Sequence, residues 1–241
     1  MKNKLHLILP LLLLPCGISQ AASIFTSGHG DFGIAYAGPG ELALHHHIHS
    51  GAVVDGLPLG ADDEYEPGDL IVTVANPSAP RPAGAAFDFI GVMTGQPVWN
   101  LPQTEDLSKP YYGLGSEELD PLDWSGDITL TLLSIAAPSG GYFSLWKDDG
   151  LGGVGSVIWA SSDGITGADA FDITPGGHGH YNWSFTQPGT YQIEVKVTGV
   201  HGLDGAAEDT EIFTFHVAPE PSRAMLMFFG MTGFMFRRRR N

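Results

Sequence analysis

Histidine and aspartate recur in this chain at the spacing that a strand turns into a ligand face. His29 and Asp31 lie two apart in Gly28-His29-Gly30-Asp31, and His178 and His180 lie two apart in Gly177-His178-Gly179-His180. Residues i and i+2 of an extended backbone point to the same side, so each pair presents two donors together. Imidazole nitrogen combined with carboxylate oxygen suits zinc, copper, iron or manganese. A third run, His45-His46-His47-Ile48-His49, sets His45, His47 and His49 on one face, although runs of this kind also bind metals adventitiously. The second pair has a competing reading as a solvated strand face, with His178, His180, Asn182 and Ser184 toward water and Tyr181, Trp183 and Phe185 toward the core.

Calcium is served less well. Asp148-Asp149-Gly150, Asp163-Gly164 and the segment 120–127 offer hard oxygens in loops, but none forms a twelve-residue loop ending in a bidentate Glu, and such segments are ordinarily plain turns. Enzyme signatures are missing: there is no Gly-x-Ser-x-Gly elbow, no His-Glu-x-x-His and no Gly-x-x-x-x-Gly-Lys. The expectation is a non-enzymatic protein. Trp99, Tyr111, Tyr112, Trp124, Trp146 and Trp159 are aromatics that can stack on sugars. They make a carbohydrate-binding or matrix-structural module of an extracellular polysaccharide layer the alternative, although aromatics at alternating strand positions more often belong to a core.

The elements that must carry these residues are strands. Among 241 residues there are 33 Gly and 17 Pro, a density of backbone punctuation that excludes long helices and coiled coils, while 43% hydrophobic residues supply a core. Stretches 69–75 and 127–133 favour β-branched residues, and in the second Ile128, Leu130 and Leu132 alternate with Thr129 and Thr131. Residues 181–185 and 190–197 read as a hairpin turning at Pro188-Gly189, with Tyr191, Ile193, Val195 and Val197 facing the core. Further strands are expected at 33–36, 41–49, 87–99 and 211–217. The connector 101–123, with Pro102, Pro110 and Pro121 and no clear alternation, reads as a long ordered loop between halves at 22–105 and 124–218. These features suggest an all-β, antiparallel β-sandwich of immunoglobulin-like character, built as one domain over 22–218 or as two packed β subdomains.

Both ends read as addresses. Residues 1–21 carry Lys2 and Lys4, an apolar run from Leu5 to Pro15, and Ser19 and Ala21 placed for cleavage after Ala21, the form of a secretory signal peptide. The single cysteine, Cys16, lies inside it behind Pro15, a poor context for lipidation, so the mature chain has no thiol and no disulfide. At the other end Pro219-Glu220-Pro221-Ser222-Arg223 precedes an apolar stretch, 224–236, and the cluster Arg237, Arg238, Arg239 and Arg240. This order resembles the PEP-CTERM sorting signal of Gram-negative bacteria. The 13 apolar residues would span about 20 Å as a helix, short for a permanent transmembrane anchor and suited to a transient one. The arginines keep the end cytoplasmic. The resemblance implies processing by an exosortase-type membrane enzyme and delivery to the cell surface, outer membrane or extracellular matrix. Over 22–218 four basic side chains meet 26 acidic ones, a formal charge near −22 that argues against a nucleic-acid partner and favours cations.

A second resemblance covers nearly all of 25–217. Gly28-His29-Gly30-Asp31-Phe32-Gly33, then Val98-Trp99-Asn100-Leu101-Pro102-Gln103, then His178-Gly179-His180-Tyr181-Asn182-Trp183-Ser184-Phe185 with Pro188-Gly189-Thr190-Tyr191, stand in the order of the choice-of-anchor M domain. That family, also described as a surface-anchored repeat of actinobacteria, is attached to cells by differing C-terminal anchors. The resemblance implies a surface-displayed β domain, some of whose relatives look linked to transporters similar to those for metal ions. It places His29, Asp31, His178, His180 and Asn182 at motif positions, leaves the 45–47 run outside the pattern, and implies no enzymatic activity.

Overall fold

The computed structural model of the protein describes residues 21–219, apart from 76, 77 and 107. Within them the chain is all-β. The first strands are β1 (Ser23–Gly38), β2 (Glu41–Ile48), β3 (Val53–Val54), β4 (Leu57–Pro58), β5 (Asp63–Tyr65), β6 (Leu70–Val74) and β7 (Ala79–Pro80). A single 3-10 turn, Ala85–Ile90, precedes β8 (Pro97–Leu101) and β9 (Pro110–Gly115). The remainder comprises β10 (Ile128–Ala136), β11 (Phe143–Asp148), β12 (Val154–Ala160), β13 (Ala170–Ile173), β14 (His178–His180), β15 (Asn182–Phe185), β16 (Gly189–His201) and β17 (Gly205–Val217).

They form two sheets. The smaller runs β12-β11-β15-β8-β7, and the other twelve strands make the larger one. Most ladders are antiparallel, but β1 pairs in parallel with β6 and β9, and β17 with β6 and, through Glu208 and Glu41, with β2. Strands from the 22–105 and 124–218 halves interleave in both sheets, because β6 lies beside β17 in the larger and β8 beside β15 in the smaller.

Side-chain alternation explains which face of the larger sheet meets the smaller. Along β16, Tyr191, Ile193, Val195 and Val197 are fully buried, and along β17 so are Phe213, Phe215 and Val217. Phe32 of β1 and Tyr112 of β9 join this layer. Trp183 of β15 meets them from the opposite sheet, with ring centroids 5.3 Å from Tyr112 and 5.2 Å from Phe215. Its indole Nε1 donates to the Tyr112 carbonyl at 2.8 Å, so the one polar atom of that buried ring is satisfied across the interface.

Several expectations need correction. Segments 181–185 and 190–197 are not a hairpin: β15 belongs to the smaller sheet and β16 to the larger. The turn between them is a crossover, tied by the Tyr191 hydroxyl, which donates to the Gln187 carbonyl and accepts from the Gln187 N–H. Segment 87–99 is strand only from Pro97 onward, since the 3-10 turn buries Phe87 and Ile90 beneath Trp146 in a small satellite core. The connector 101–123 is not simply a loop, because it contains β9, an internal strand between β1 and β14. Among the described residues no helix is long and apolar enough to cross a membrane. The stretch proposed to do so, with Glu220, Pro221 and Arg237, Arg238, Arg239 and Arg240, lies outside the described residues. Pro219 is described and exposed.

Candidate metal centre

On the face of the larger sheet away from the core, four adjacent strands line up their alternate residues. Register places Asp31 beside Gly113 on one side and His47 on the other, with Gly113 in turn beside His180. One step along, Gly33 stands between Gly115 and His45, and Gly115 beside His178. Because Phe32, Tyr112 and Leu114 alternate with these positions and fill the core, His29, Asp31, His45 and His47 must point outward.

Asp31 is the centre of the arrangement and only 1% exposed. Its Oδ1 lies 2.8 Å from His178 Nε2, and its Oδ2 lies 3.0 Å from His49 Nε2 and 3.3 Å from His29 Nε2. Burial alone would raise its carboxyl pKa, but hydrogen bonding and positive charge from His178 and His29 outweigh that and hold it well below the usual carboxylate range. The bond to Asp31 raises the His178 pKa against the effect of its own burial. His180 behaves differently: burial pushes it down to about 4, so its imidazole is neutral at pH 7 and keeps a lone pair. Its Nδ1 is buried without a hydrogen-bond partner, and its ring stacks on Tyr111 at 3.5 Å between centroids.

His29, Asp31, His178 and His180 therefore come together as the alternating spacing suggests. One ligand atom from each lies within 4.8 Å of all the others, a group able to hold a metal ion. Glycine is what leaves room for it. A Cβ on Gly113 would stand 2.2 Å from Asp31 Oδ1 and 3.0 Å from His178 Nε2.

Asn182 does not join the group. The chain leaves the larger sheet at Tyr181, and the Asn182 side chain accepts from the Gln103 N–H and donates to Asp148. Ser184 is likewise buried and accepts from the Trp146 indole. The solvated-face reading of residues 178–184 thus fails at its second half.

His49 escaped the sequence reading as a partner of Asp31. It follows β2, and its N–H donates to the His29 carbonyl, continuing the ladder so that the two rings stack at 4.1 Å. Spacing alone signalled that His45, His47 and His49 share a face. What only the fold supplies is the β1–β2 register that joins that face to Asp31. Glu118, in the turn after β9, is not among the candidate ligands that the sequence suggests: its Oε1 is 2.9 Å from His45 Nε2 and 3.5 Å from His47 Nδ1.

Two of the three segments considered for calcium hold capped turns, in which Asp148 accepts from the Gly150 N–H, Asp149 from those of Leu151 and Gly153, and Asp120 from that of Leu122. Trp99, Tyr112, Trp124, Trp146 and Trp159 are buried and offer no flat surface platform. Comparison with protein-family models, with curated proteins and with solved structures found no match for the chain.

Proposed function

We propose that this is a secreted, surface-sorted, non-enzymatic β-domain protein that binds a divalent transition-metal ion through His29, Asp31, His178 and His180. The observation that carries the metal reading is a 1%-exposed carboxylate within 3.3 Å of three imidazole Nε2 atoms, beside a fourth imidazole kept neutral by burial. Two nitrogens and a carboxylate with a further imidazole form a borderline donor set, suited to zinc and to manganese, iron or copper ahead of calcium. Two of the candidate ligands have a neighbour beside them: Glu117 Oε1 lies 3.8 Å from His178 Nδ1, and Tyr111 stacks on His180.

The sorting half of the proposal rests on the resemblances of residues 1–21 and 219–241 to a signal peptide and a PEP-CTERM tail, and of the domain to choice-of-anchor M. In that reading an exosortase-type enzyme cuts near Pro219 and releases an acidic domain to the cell surface or matrix. Mass spectrometry of the protein from the secreting cell should find a chain that begins at Ala22 and ends near residue 220. An intact tail on the mature protein would rule the processing out.

Elemental analysis of the untagged protein, before and after chelation, tests the metal reading. At least one equivalent of zinc, manganese, iron or copper is expected, with one equivalent lost in His178→Ala/His180→Ala. A protein that holds no metal after purification, and takes none up from micromolar salts, would leave the cluster as an imidazole–carboxylate hydrogen-bond network.

A further inference from the structure

The same sheet face continues beyond the first cluster. His47 ring stands 4.7 Å from His49 and 6.3 Å from His45, and the acidic turn after β9 reaches over it. That turn is anchored by buried Leu119, whose N–H donates to the Ser116 carbonyl, and it splits its two carboxylates between the clusters. Glu117 approaches His178, while Glu118 approaches both His45 and His47.

The His45 contact carries the chemistry. His45 is 7% exposed, and its Nδ1 faces the Ala43 carbonyl at 3.4 Å, which favours the tautomer with the proton on Nδ1. Nε2 then presents a lone pair to Glu118 Oε1 at 2.9 Å and has no aligned hydrogen-bond donor or acceptor among the described residues. Two electron-rich atoms held that close in a half-buried site call for a cation between or beside them. His47 Nδ1, 3.5 Å from the same oxygen, completes a triangle, and Glu64 of β5 supplies a further carboxylate within 4.8 Å of all three. Here too the opposing position is glycine: a Cβ on Gly33 would lie 2.4 Å from His45 Nε2.

We infer that His45, His47, Glu118 and Glu64 form a second divalent-metal site, adjacent to the first and built from different side chains, so that the protein carries two ions on one sheet face. Two imidazoles with two carboxylates, at the metal–ligand distances of about 2.0–2.2 Å such donors adopt, again select zinc or manganese-class ions. His49 and Asp62, each in contact range of His47 or of one another, lie between the two centres.

Metal stoichiometry after gel filtration of the untagged, chelator-stripped protein reloaded with zinc, with cobalt(II) absorption as a second readout, separates the sites. Two equivalents are expected in the wild type and one in His178→Ala/His180→Ala. One is also expected in Glu118→Gln, an exposed position whose change should not disturb folding, and in His45→Gln/Glu118→Gln. A wild type with one equivalent, lost in His178→Ala/His180→Ala and retained in Glu118→Gln, overturns the second site and leaves the first standing. One equivalent lost in Glu118→Gln but kept in His178→Ala/His180→Ala supports the second and removes the first. Zinc that washes off in gel filtration from every form overturns both as adventitious binding.

Discussion

His46 shows how far one side chain's direction decides its role on this sheet. Its neighbours His45 and His47 face outward, whereas His46 is fully buried with Nδ1 2.6 Å from the Tyr112 hydroxyl, and burial pushes its pKa down to about 3. Below about pH 6.5 the unfolded chain takes up a proton at this residue that the folded chain refuses, so stability falls as pH falls. The slope is at most about 1.4 kcal/mol per pH unit and persists down to the folded pKa. His180, lowered to about 4, acts in the same direction. His178 is raised, so its contribution is complete below about pH 6.5 and is lost as pH climbs through its folded value. Asp31 is depressed, and its contribution is lost only below the ordinary carboxylate range. Urea titrations of the metal-free protein between pH 6 and 4.5 should therefore show a midpoint that drops with acid. His46→Gln, which keeps a hydrogen-bonding group for Tyr112, should flatten that drop, and an unchanged slope would assign it to other groups. At this scale the pairs His29/Asp31 and His178/His180 were legible because their spacing is local. Their junction with His49, and the approach of Glu118, depend on which strand lies beside which, and spacing within one segment does not carry that information.

Strand β9 illustrates why an element can be silent in sequence. Alternation is read from side chains on both faces, and on the outer face of β9 two of three positions, Gly113 and Gly115, have none. Only Tyr112 and Leu114, pointing inward, announce it. The same absence makes the site, since a Cβ on Gly113 would meet Asp31 Oδ1 at 2.2 Å and the Gly179 carbonyl at 3.0 Å. Asp31 cannot swing away freely, because its other oxygen is held at 3.0 Å by His49. Gly113→Ala should therefore cost about 1–3 kcal/mol of stability, as overpacking does, and weaken zinc binding at least tenfold. Gly115→Ala is the contrast: its Cβ would crowd the exposed Glu117 carboxylate at 3.1 Å, which can move, and would lie at ordinary contact distance, 3.7 Å, from Asp31 Cβ and His178 Cδ2. Calorimetric titration and denaturant unfolding of the two variants check this, and equal behaviour would mean that the glycines do not gate the cluster. The β14–β15 break at Tyr181 was hidden for the opposite reason. Residues 178–185 alternate smoothly, and nothing local marks the point where the chain passes from one sheet to the other. By contrast β10, the stretch 190–197 of β16 and the stretch 211–217 of β17 were readable, because each has one apolar and one polar face and lies over the main core.

At the scale of the molecule, the first cluster joins parts of the chain that are far apart in sequence, from His29 to His180, through strands β1, β9 and β14. Such ligands converge only in the folded state, so a bound ion stabilises folding by mass action. Zinc at a hundred times its dissociation constant contributes about 2.7 kcal/mol, which for a domain of this size raises the melting temperature by roughly 5–10 °C. The formal charge near −22 offers a rival explanation for any such rise, since a divalent cation also relieves self-repulsion among 26 carboxylates. The two effects differ in chemistry. Charge relief is indifferent to the ion and is weakened by monovalent salt, whereas imidazole ligation favours zinc over magnesium and survives salt. Melting of the stripped protein in 0.3 M sodium chloride with equal zinc or magnesium should show the rise with zinc and little with magnesium. His178→Ala/His180→Ala should lose the first cluster's share of the zinc increment while keeping whatever magnesium provides. Equal rises with both ions would mean that the acidic surface as a whole, and not the histidine face, is what the cations stabilise.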